Sequence, residues 1–337
     1  MKKEMEKSSI KNPIENRNYG FDLMSGCLII YMIFCHIMQW AKLADCEIYS
    51  ILQRFLFFFM AWFFYKSGIY AKQNVDLKKY TLKNYRKLLL PALYFSLIGI
   101  PAVWCQTYQS GDTNIVHYTL SIAKSFILRG DMNGNLPLWF LITLFEVKLV
   151  YVFLSRKMGG HTIFIAFFML SGVFSYLNLH EPSYIFPFFT AMTFYSAGHL
   201  LVDKENSLLF FSFCVILYIT AILFYPQMVD LRTCTLKYGN YNVWIIVSVA
   251  ACVTWNNLCK HLVCYVPKAF LQFGRDSMIY YVLHWLAISY SALVLHLFIV
   301  DEYGWGYFGA LSLMVIVLMT IAVYFLKKNN ARSLFGF

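Results

Sequence analysis

The side chains best suited to chemistry lie in one apolar stretch near the start of the chain, residues 18–40. This stretch is long enough to span a bilayer, yet it contains Asp22, Ser25, His36 and Gln39. A helix turns by about 100° per residue, so Ser25 and His36 fall about 20° apart and Asp22 and His36 about 40° apart. The four polar residues therefore share one stripe. Ionisable side chains inside a membrane indicate a functional site, and a hydrogen bond to another helix is the structural alternative.

His36 is the strongest candidate for catalysis. A neutral imidazole inside a membrane can act as a general base towards a group within hydrogen-bond reach. Asp22 lies about 21 Å of helix rise from His36, so it cannot orient the imidazole. We therefore interpret Asp22 and Ser25 as one end of a path and His36 and Gln39 as the other.

The composition is that of an integral membrane protein. Of the 337 residues, 60% are hydrophobic and only 13% are charged, whereas soluble domains carry about 25% charged residues. The apolar residues extend along the whole chain, which predicts an all-α polytopic protein with about ten transmembrane helices. The first 17 residues are polar and basic, and we expect no signal peptide.

The formal net charge of +11 does not indicate nucleic acid binding, because the basic residues fall in alternate loops. Of 28 lysines and arginines, 20 fall in the segments on the side of the N-terminus and five in the loops on the other side. This distribution follows the positive-inside rule and predicts that both termini are cytoplasmic. We divide the chain into a basic arm (1–17), a membrane domain (18–326) with an outer loop (107–136), and a tail (327–337).

The nine cysteines form no CxxC pair, so neither a metal site nor a redox motif is indicated. Cys46 and Cys234 fall on the same predicted side, which leaves a disulfide between them open. Within the outer loop, residues 115–129 could form an amphipathic helix on the membrane surface. A loop of this length is either a lid or substrate platform, or a flexible connector.

Basic residues near the predicted inner face are candidates for binding an anionic ligand. Lys66 lies at a depth similar to that of Ser25, and snorkelling of Lys66 to the headgroups is the alternative role. Arg86 and Lys87 stand where the third span enters the membrane. They could hold a phosphorylated ligand or anchor the chain to anionic lipid.

Three further residues are supporting candidates. Trp139 lies at the predicted outer interface, where aromatic residues are common. Glu146 falls near the middle of the membrane, so we expect it to be protonated or paired, with Arg54 or a histidine as partner. His284 lies about two turns inside the ninth predicted span.

Six segments together resemble the acyltransferase 3 superfamily, and particularly its membrane-bound sugar O-acetyltransferases, such as fucose 4-O-acetylase-like proteins. They occur in that family's order and cover residues 17 to 284; their sequences are RNYGFDLMSGCLIIYMIFCHI, FMAWFFYKSGIY, YRKLLLPALYF, LPLWFLITLF, YSAGH and FGRDSMIYYVLH. The resemblance implies transfer of an acetyl group from cytoplasmic acetyl-CoA, without a metal. The acceptor it implies is a hydroxyl of a cell-envelope glycan or lipid-linked sugar, at the bacterial inner membrane.

The resemblance also assigns roles to individual residues. It implies that His36 is catalytic, that Arg86 and the position of Ser25 bind the donor, and that Ser67, Trp139 and His284 support the site. Charge and depth in the membrane add Lys66 and Lys87 as candidates for donor binding, and Asp22, Gln39 and Glu146 as supporting candidates.

The chain departs from the family pattern at two places. Ser25 stands where the family carries Arg or Lys, with ten residues between that position and the histidine. Phe59 and Ala61 stand where sugar acetyltransferase relatives often have His and Pro on either side of a methionine. We hypothesise that Lys66, on the adjacent span, supplies the charge that Ser25 lacks.

Two alternatives from other classes stay open. The chain could be a non-catalytic or transport-like protein that kept the fold while its donor site degraded at Ser25. An ion-coupled transporter would use Glu146 and the membrane histidines, but the broken-helix signals of such proteins are not visible.

Overall fold

The protein is built from helices that pack side by side, in a computed structural model that describes residues 17–109, 111, 114–129, 132–177, 186–224, 229–232, 235–236, 239–299 and 303–328. The α-helices are α1 (Tyr19–Trp40), α2 (Glu47–Phe55), α3 (Phe59–Ile69), α4 (Leu77–Asn84), α5 (Leu90–Gln109), α6 (Ile115–Arg129), α7 (Trp139–Leu154), α8 (Gly160–Leu177), α9 (Phe186–Leu201), α10 (Leu208–Phe224), α11 (Tyr241–Leu262), α12 (Lys268–Arg275), α13 (Ser277–His296) and α14 (Gly304–Lys328). Two strands of two residues each, β1 (Val229–Asp230) and β2 (Thr235–Leu236), form a small antiparallel hairpin. The predicted all-α class is confirmed.

Eight helical segments in the described part of the chain are long and apolar enough to cross a membrane. They are Tyr19–Trp40, Glu47–Ile69, Leu77–Gln109, Leu136–Leu154, Gly160–Leu177, Tyr241–Tyr265, Ser277–His296 and Gly304–Lys328. Helix α10 is apolar but shorter, with 17 residues. The chain is therefore a polytopic membrane protein. The count of ten spans and the cytoplasmic location of both termini stay predictions.

The second predicted span is interrupted between α2 and α3, at residues 56–58. A break in a helix leaves backbone carbonyls without their intrahelical donors. Here the Tyr218 hydroxyl donates to the carbonyl oxygen of Phe55 at 2.8 Å. This bond from α10 satisfies the end of α2 within an apolar environment, so the helix can change direction beside the residues that follow.

A π-helical turn over Tyr85–Leu89 connects the basic helix α4 to α5. Pro91 follows this turn, and a proline cannot donate a hydrogen bond to the carbonyl four residues earlier, which here belongs to Lys87. Its ring would also clash with that carbonyl in a regular helix. The wider π-helical turn avoids this clash and the missing hydrogen bond, and such turns are frequent at functional sites.

Helices α3 and α9 approach each other through two glycines. A Cβ atom added to Gly68 would lie 1.9 Å from the carbonyl oxygen of Tyr195, and one added to Gly198 would lie 2.0 Å from that of Tyr65. Only glycine allows such close backbone contact. These contacts fix the position of α3 against α9.

A buried polar cluster centres on Glu205, in the turn between α9 and α10. The Tyr65 hydroxyl and the Asn256 amide each donate to its Oε1 at 2.9 Å, and Lys260 Nζ lies 3.6 Å from its Oε2. Burial raises the pKa of Glu205 above its ordinary value, while these partners lower it by a smaller amount. The cluster ties α3, α11 and this turn together.

The helix expected within residues 107–136 is present as α6, over 15 residues, and its location on the membrane surface stays a prediction. Cys46 is a free cysteine, and Cys234, its suggested disulfide partner, lies outside the described residues. Residues 1–16 of the predicted arm and 329–337 of the predicted tail also lie outside them. The domain boundaries stay predictions.

Candidate active site

His36 has one ring nitrogen fixed by a neighbour one turn along α1. Its Nδ1 lies 3.0 Å from Oε1 of Gln39, and Nε2 of Gln39 donates to the Tyr49 hydroxyl at 2.8 Å. An amide oxygen only accepts hydrogen bonds, so Nδ1 is the protonated nitrogen of the neutral ring. The lone pair of Nε2 is then available to accept a proton, as a general base requires.

His284 packs directly against His36. The two rings are stacked with their centroids 5.3 Å apart, and the Trp285 ring meets the edge of His36 at the same distance. Nδ1 of His284 lies 2.5 Å from the Tyr281 carbonyl oxygen and must donate to it. Nε2 of His284 is buried and has no partner among the described residues. The structure therefore brings together the two histidines that were predicted separately.

A cavity of about 420 Å³ lies beside His36, and we call it the His36 cavity. Gln39 and Trp139, both predicted site residues, line it. Phe59 and Ala61 also line it, so the two departures from the family pattern fall on its wall. The β1–β2 hairpin contributes Asp230, Leu231 and Arg232 to the same wall.

Lys66 contacts Ser25 across the interface of α3 and α1. Its Nζ donates to the Ser25 hydroxyl at 2.6 Å, and that hydroxyl donates to the Phe21 carbonyl oxygen at 2.6 Å. The ammonium group also lies 5.0 Å from the centroid of the Trp62 ring. Because these contacts hold the ammonium group inside the protein, snorkelling to the lipid headgroups does not describe Lys66.

Lys66 lines a second cavity of about 240 Å³, which we call the Lys66 cavity. Ser67, Lys148 and Ser277 line it as well. Two lysines on the wall of one small cavity, most of which is apolar, favour an anionic ligand because each buried charge requires a partner. The spacing of Leu141, Leu144 and Lys148 on α7 places the lysine on the face that borders this cavity.

A third cavity of about 400 Å³, the Arg17 cavity, lies at the start of α1. Asp22 lines it and accepts two hydrogen bonds from Arg17, at 2.6 and 2.8 Å. These bonds raise the pKa of the Arg17 guanidinium group. Lys66 and Arg275 also line this cavity, so it holds more cationic than anionic side chains.

The three cavities have walls in common. The Arg17 and Lys66 cavities share Lys66, Tyr70 and Ser277, and the Lys66 and His36 cavities share Met60 and Tyr281. The cavities therefore follow one another along α1, from Asp22 to His36. This order agrees with the path that the polar stripe of the first span suggested, and Met60 and Tyr281 lie between the Lys66 and His36 cavities.

Two predicted donor residues and one supporting residue lie elsewhere. Arg86 is exposed on the π-helical turn and lines none of the three cavities, and Lys87 is beside it, half-buried. Glu146 is half-buried and makes no ion pair with Arg54 or a histidine among the described residues. The expected partner of Glu146 is thus not found in that part of the chain.

Sequence reasoning missed several residues of these cavities. Lys148 is one of them, although its spacing from Leu141 and Leu144 could have indicated a shared face. Tyr281 was part of a quoted segment, but nothing in its type or spacing marked it as a cavity wall. Contacts between distant segments decide both positions.

No group of three or more His, Cys, Asp or Glu side chains that could hold a metal ion occurs within the described ranges. A comparison with protein families matched residues 18–327 to the acyltransferase 3 family, whose description is an acyltransferase domain. No curated protein and no solved structure matched the chain.

Proposed function

The chain belongs to the acyltransferase 3 family, and from this premise we propose that it is an acetyl-CoA-dependent O-acetyltransferase acting on a hydroxyl of a cell-envelope glycan or lipid-linked sugar. Membership of this family indicates a membrane-bound acyltransferase. The acetyl donor, the sugar acceptor and the bacterial inner membrane are our extension of it. The observation that carries the proposal is the row of three cavities from the basic end of α1 to His36.

The donor side of the proposal rests on charge. Coenzyme A carries phosphate groups at one end and a long thin arm that ends in the thioester. Arg17, Lys66 and Lys148 line the first two cavities and would attract the phosphates or polar groups of that arm. Exposed Arg86 and half-buried Lys87 lie on the π-helical turn after the basic helix α4. There they would meet the nucleotide part of the donor before its arm enters the cavities.

The positive-inside distribution supports a cytoplasmic location for this basic end. Acetyl-CoA would then enter from the cytoplasm, where it is made. The arm would extend past Met60 and Tyr281 and bring the thioester to His36. This arrangement lets a cytoplasmic donor serve an acceptor on the opposite side of the membrane.

The chemical step uses the free lone pair of His36. Nε2 removes the proton from the acceptor hydroxyl as its oxygen forms a bond to the thioester carbonyl carbon. The carbon–sulfur bond then breaks, and the proton passes from His36 to the leaving thiolate. Gln39 keeps Nδ1 protonated throughout, and the products are an acetyl ester and free coenzyme A.

The alternative of a degraded donor site rested on Ser25. The contact between Lys66 and Ser25 supports an intact donor site instead, because it brings a cation to the residue that stands where the family carries Arg or Lys.

The test uses the full chain purified in lipid nanodiscs, with acetyl-CoA as the donor. We expect His36→Ala to lower the rate of CoA release by about a hundredfold or more, the usual contribution of a general base. His161→Ala, at an exposed position on α8, is the matched control and should match the unchanged protein. Equal CoA release by His36→Ala and the unchanged protein would reject the proposal.

A further inference from the structure

The His36 cavity contains two buried polar atoms without a partner. Nε1 of Trp244 and Oε1 of Gln53 are both inaccessible to solvent, and neither has a hydrogen-bond partner within the part of the chain that the structure describes. Both residues line the cavity, and Trp244 is 1% exposed. Buried polar groups in native proteins are almost always satisfied, so such atoms on a cavity wall indicate a missing ligand.

The chemistry of the two atoms defines the ligand. An indole N–H can only donate a hydrogen bond, and an amide oxygen can only accept one. A hydroxyl group both accepts and donates, so one ligand with two hydroxyl groups, or one well-placed hydroxyl, would satisfy both atoms. A purely anionic ligand would satisfy only the indole, and a cationic ligand only the amide.

Two tryptophan rings that line the same cavity also favour a carbohydrate ligand. Trp139 and Trp285 line the cavity, and Trp285 packs against both His36 and Trp40. An aromatic face covers the C–H groups of a sugar ring, while nearby polar atoms bind its hydroxyls. Together, the two rings and the two unpaired atoms match a carbohydrate.

The β1–β2 hairpin contributes Asp230, Leu231 and Arg232 to the lining of the cavity. Oδ1 of Asp230 accepts a hydrogen bond from the backbone N–H of Arg232 at 2.9 Å, which fixes the turn that follows β1. Leu231, between them, is 6% exposed and anchors the hairpin in the protein core. The hairpin is therefore held in place, with Asp230 exposed at the cavity wall.

We infer that Trp244 and Gln53 bind hydroxyl groups of the acceptor, and that the acceptor ring is a carbohydrate held between the two tryptophan rings and the hairpin. The inference rests on the proposed function, since it concerns the acceptor of the same reaction. It assigns recognition of the acceptor to residues distinct from His36, which carries out the proton transfer.

The experiment measures CoA release by the full chain in nanodiscs, with acetyl-CoA and a panel of methyl glycosides of glucose, galactose, mannose and fucose as acceptor probes. At least one glycoside should accelerate CoA release in a saturable manner. Trp244→Phe removes the indole N–H and keeps an aromatic ring, and Gln53→Leu removes the amide oxygen. Each should raise the KM for that glycoside about tenfold, the usual effect of one lost hydrogen bond, and leave the KM for acetyl-CoA unchanged.

Trp255→Phe is the matched control, because Trp255 packs on Phe58 and does not line the cavity. Its KM for the glycoside should equal that of the unchanged protein. If neither Trp244→Phe nor Gln53→Leu raises the glycoside KM, or if no glycoside accelerates CoA release, the inference is overturned. Either of these results is distinct from failure of the proposed function, in which CoA release would not depend on His36 at all.

Discussion

Nζ of Lys66 lies 2.6 Å from Oγ of Ser25, which joins α3 to the residue of α1 that begins the path to His36. The serine hydroxyl donates its own hydrogen bond to the Phe21 carbonyl oxygen, so its oxygen can accept a hydrogen bond from the lysine. Two residues on different helices thus form one cationic unit. The position of a charge in this site is set by three-dimensional contact and not by its place in a linear motif.

The Lys66–Ser25 contact predicts that donor binding depends on Lys66. Lys66→Met should raise the KM for acetyl-CoA at least about tenfold, because a hydrogen bond to a charged group is lost from a site that excludes water. Steady-state CoA release in nanodiscs provides the measurement. Adding Ser25→Arg to Lys66→Met should restore most of the lost affinity, since it returns a cation to the same place.

Lys157→Met is the control for this pair, because Lys157 is an exposed lysine at the end of α7. It should leave the KM for acetyl-CoA unchanged. An unchanged KM for acetyl-CoA in Lys66→Met would show that Lys66 does not supply the cation that the family carries at the position of Ser25.

In the proposed reaction Gln39 positions the His36 ring, so its replacement should lower kcat without changing the KM for acetyl-CoA. Gln39→Leu removes the oxygen that keeps Nδ1 protonated, so kcat should fall by roughly tenfold or more while the KM for acetyl-CoA is unchanged. Gln39→Glu keeps an accepting oxygen and should recover part of kcat. A structural role alone would lower the yield of folded protein in both variants and would give no such recovery.

Met60 forms part of the wall between the Lys66 and His36 cavities. Met60→Trp should fill the connection and lower CoA release by more than about tenfold, since overpacking forces neighbouring side chains out of position. Met60→Ala should widen it and increase the rate with butyryl-CoA relative to acetyl-CoA. The comparison is Met169→Trp on α8, where the side chain is 57% exposed and no effect on either donor is expected.

Gly68 limits the distance between α3 and α9. Gly68→Ala places a Cβ 1.9 Å from the Tyr195 carbonyl oxygen, so the two backbones must separate, at a cost of about 1–3 kcal/mol or more. We expect a lower melting temperature in detergent, followed by size-exclusion chromatography after heating. Gly309→Ala, where a Cβ meets open space, should melt at or above the temperature of the unchanged protein.

The raised pKa of Glu205 predicts a pH-dependent stability. A folded protein that holds this proton more tightly than the unfolded chain is stabilised at low pH, and loses that stability as the pH rises above 4.5 through the raised pKa. The melting temperature should therefore fall over this range. Glu205→Gln keeps an oxygen that accepts from Tyr65 and Asn256 but cannot ionise, so its melting temperature should fall less; equal slopes would contradict the assignment.

The sequence was sufficient for the class of the fold and for one helix of the site. Apolar composition predicts membrane helices because the bilayer requires them, and the wheel of α1 placed His36 and Gln39 on one stripe. The contact between Lys66 and Ser25 followed from comparing depths in two adjacent spans. These predictions depend only on local periodicity and on the thickness of a membrane.

Other parts of the site depend on contacts between segments that are distant in the sequence. The periodicity of a single segment does not predict such contacts. The stacking of His284 on His36 depends on the angle at which α13 packs against α1. The β1–β2 hairpin lines the His36 cavity with residues whose types and spacing show no distinctive pattern. Arg86 was assigned to the donor from its charge, its place at the start of a span and the family resemblance, but the π-helical turn before Pro91 leaves it exposed and outside the lining of the cavities. Its place in donor binding stays a prediction.

The wall formed by Met60 and Tyr281 also bears on the integrity of the membrane. Cavities with charged or polar linings lie on both sides of it, and a continuous water column between them would conduct protons and small ions. In the proposed reaction, the thioether of Met60 and the ring of Tyr281 would exclude water when nothing lies between the two cavities. An acyl group would then pass from one cavity to the other while the membrane keeps its electrochemical gradient.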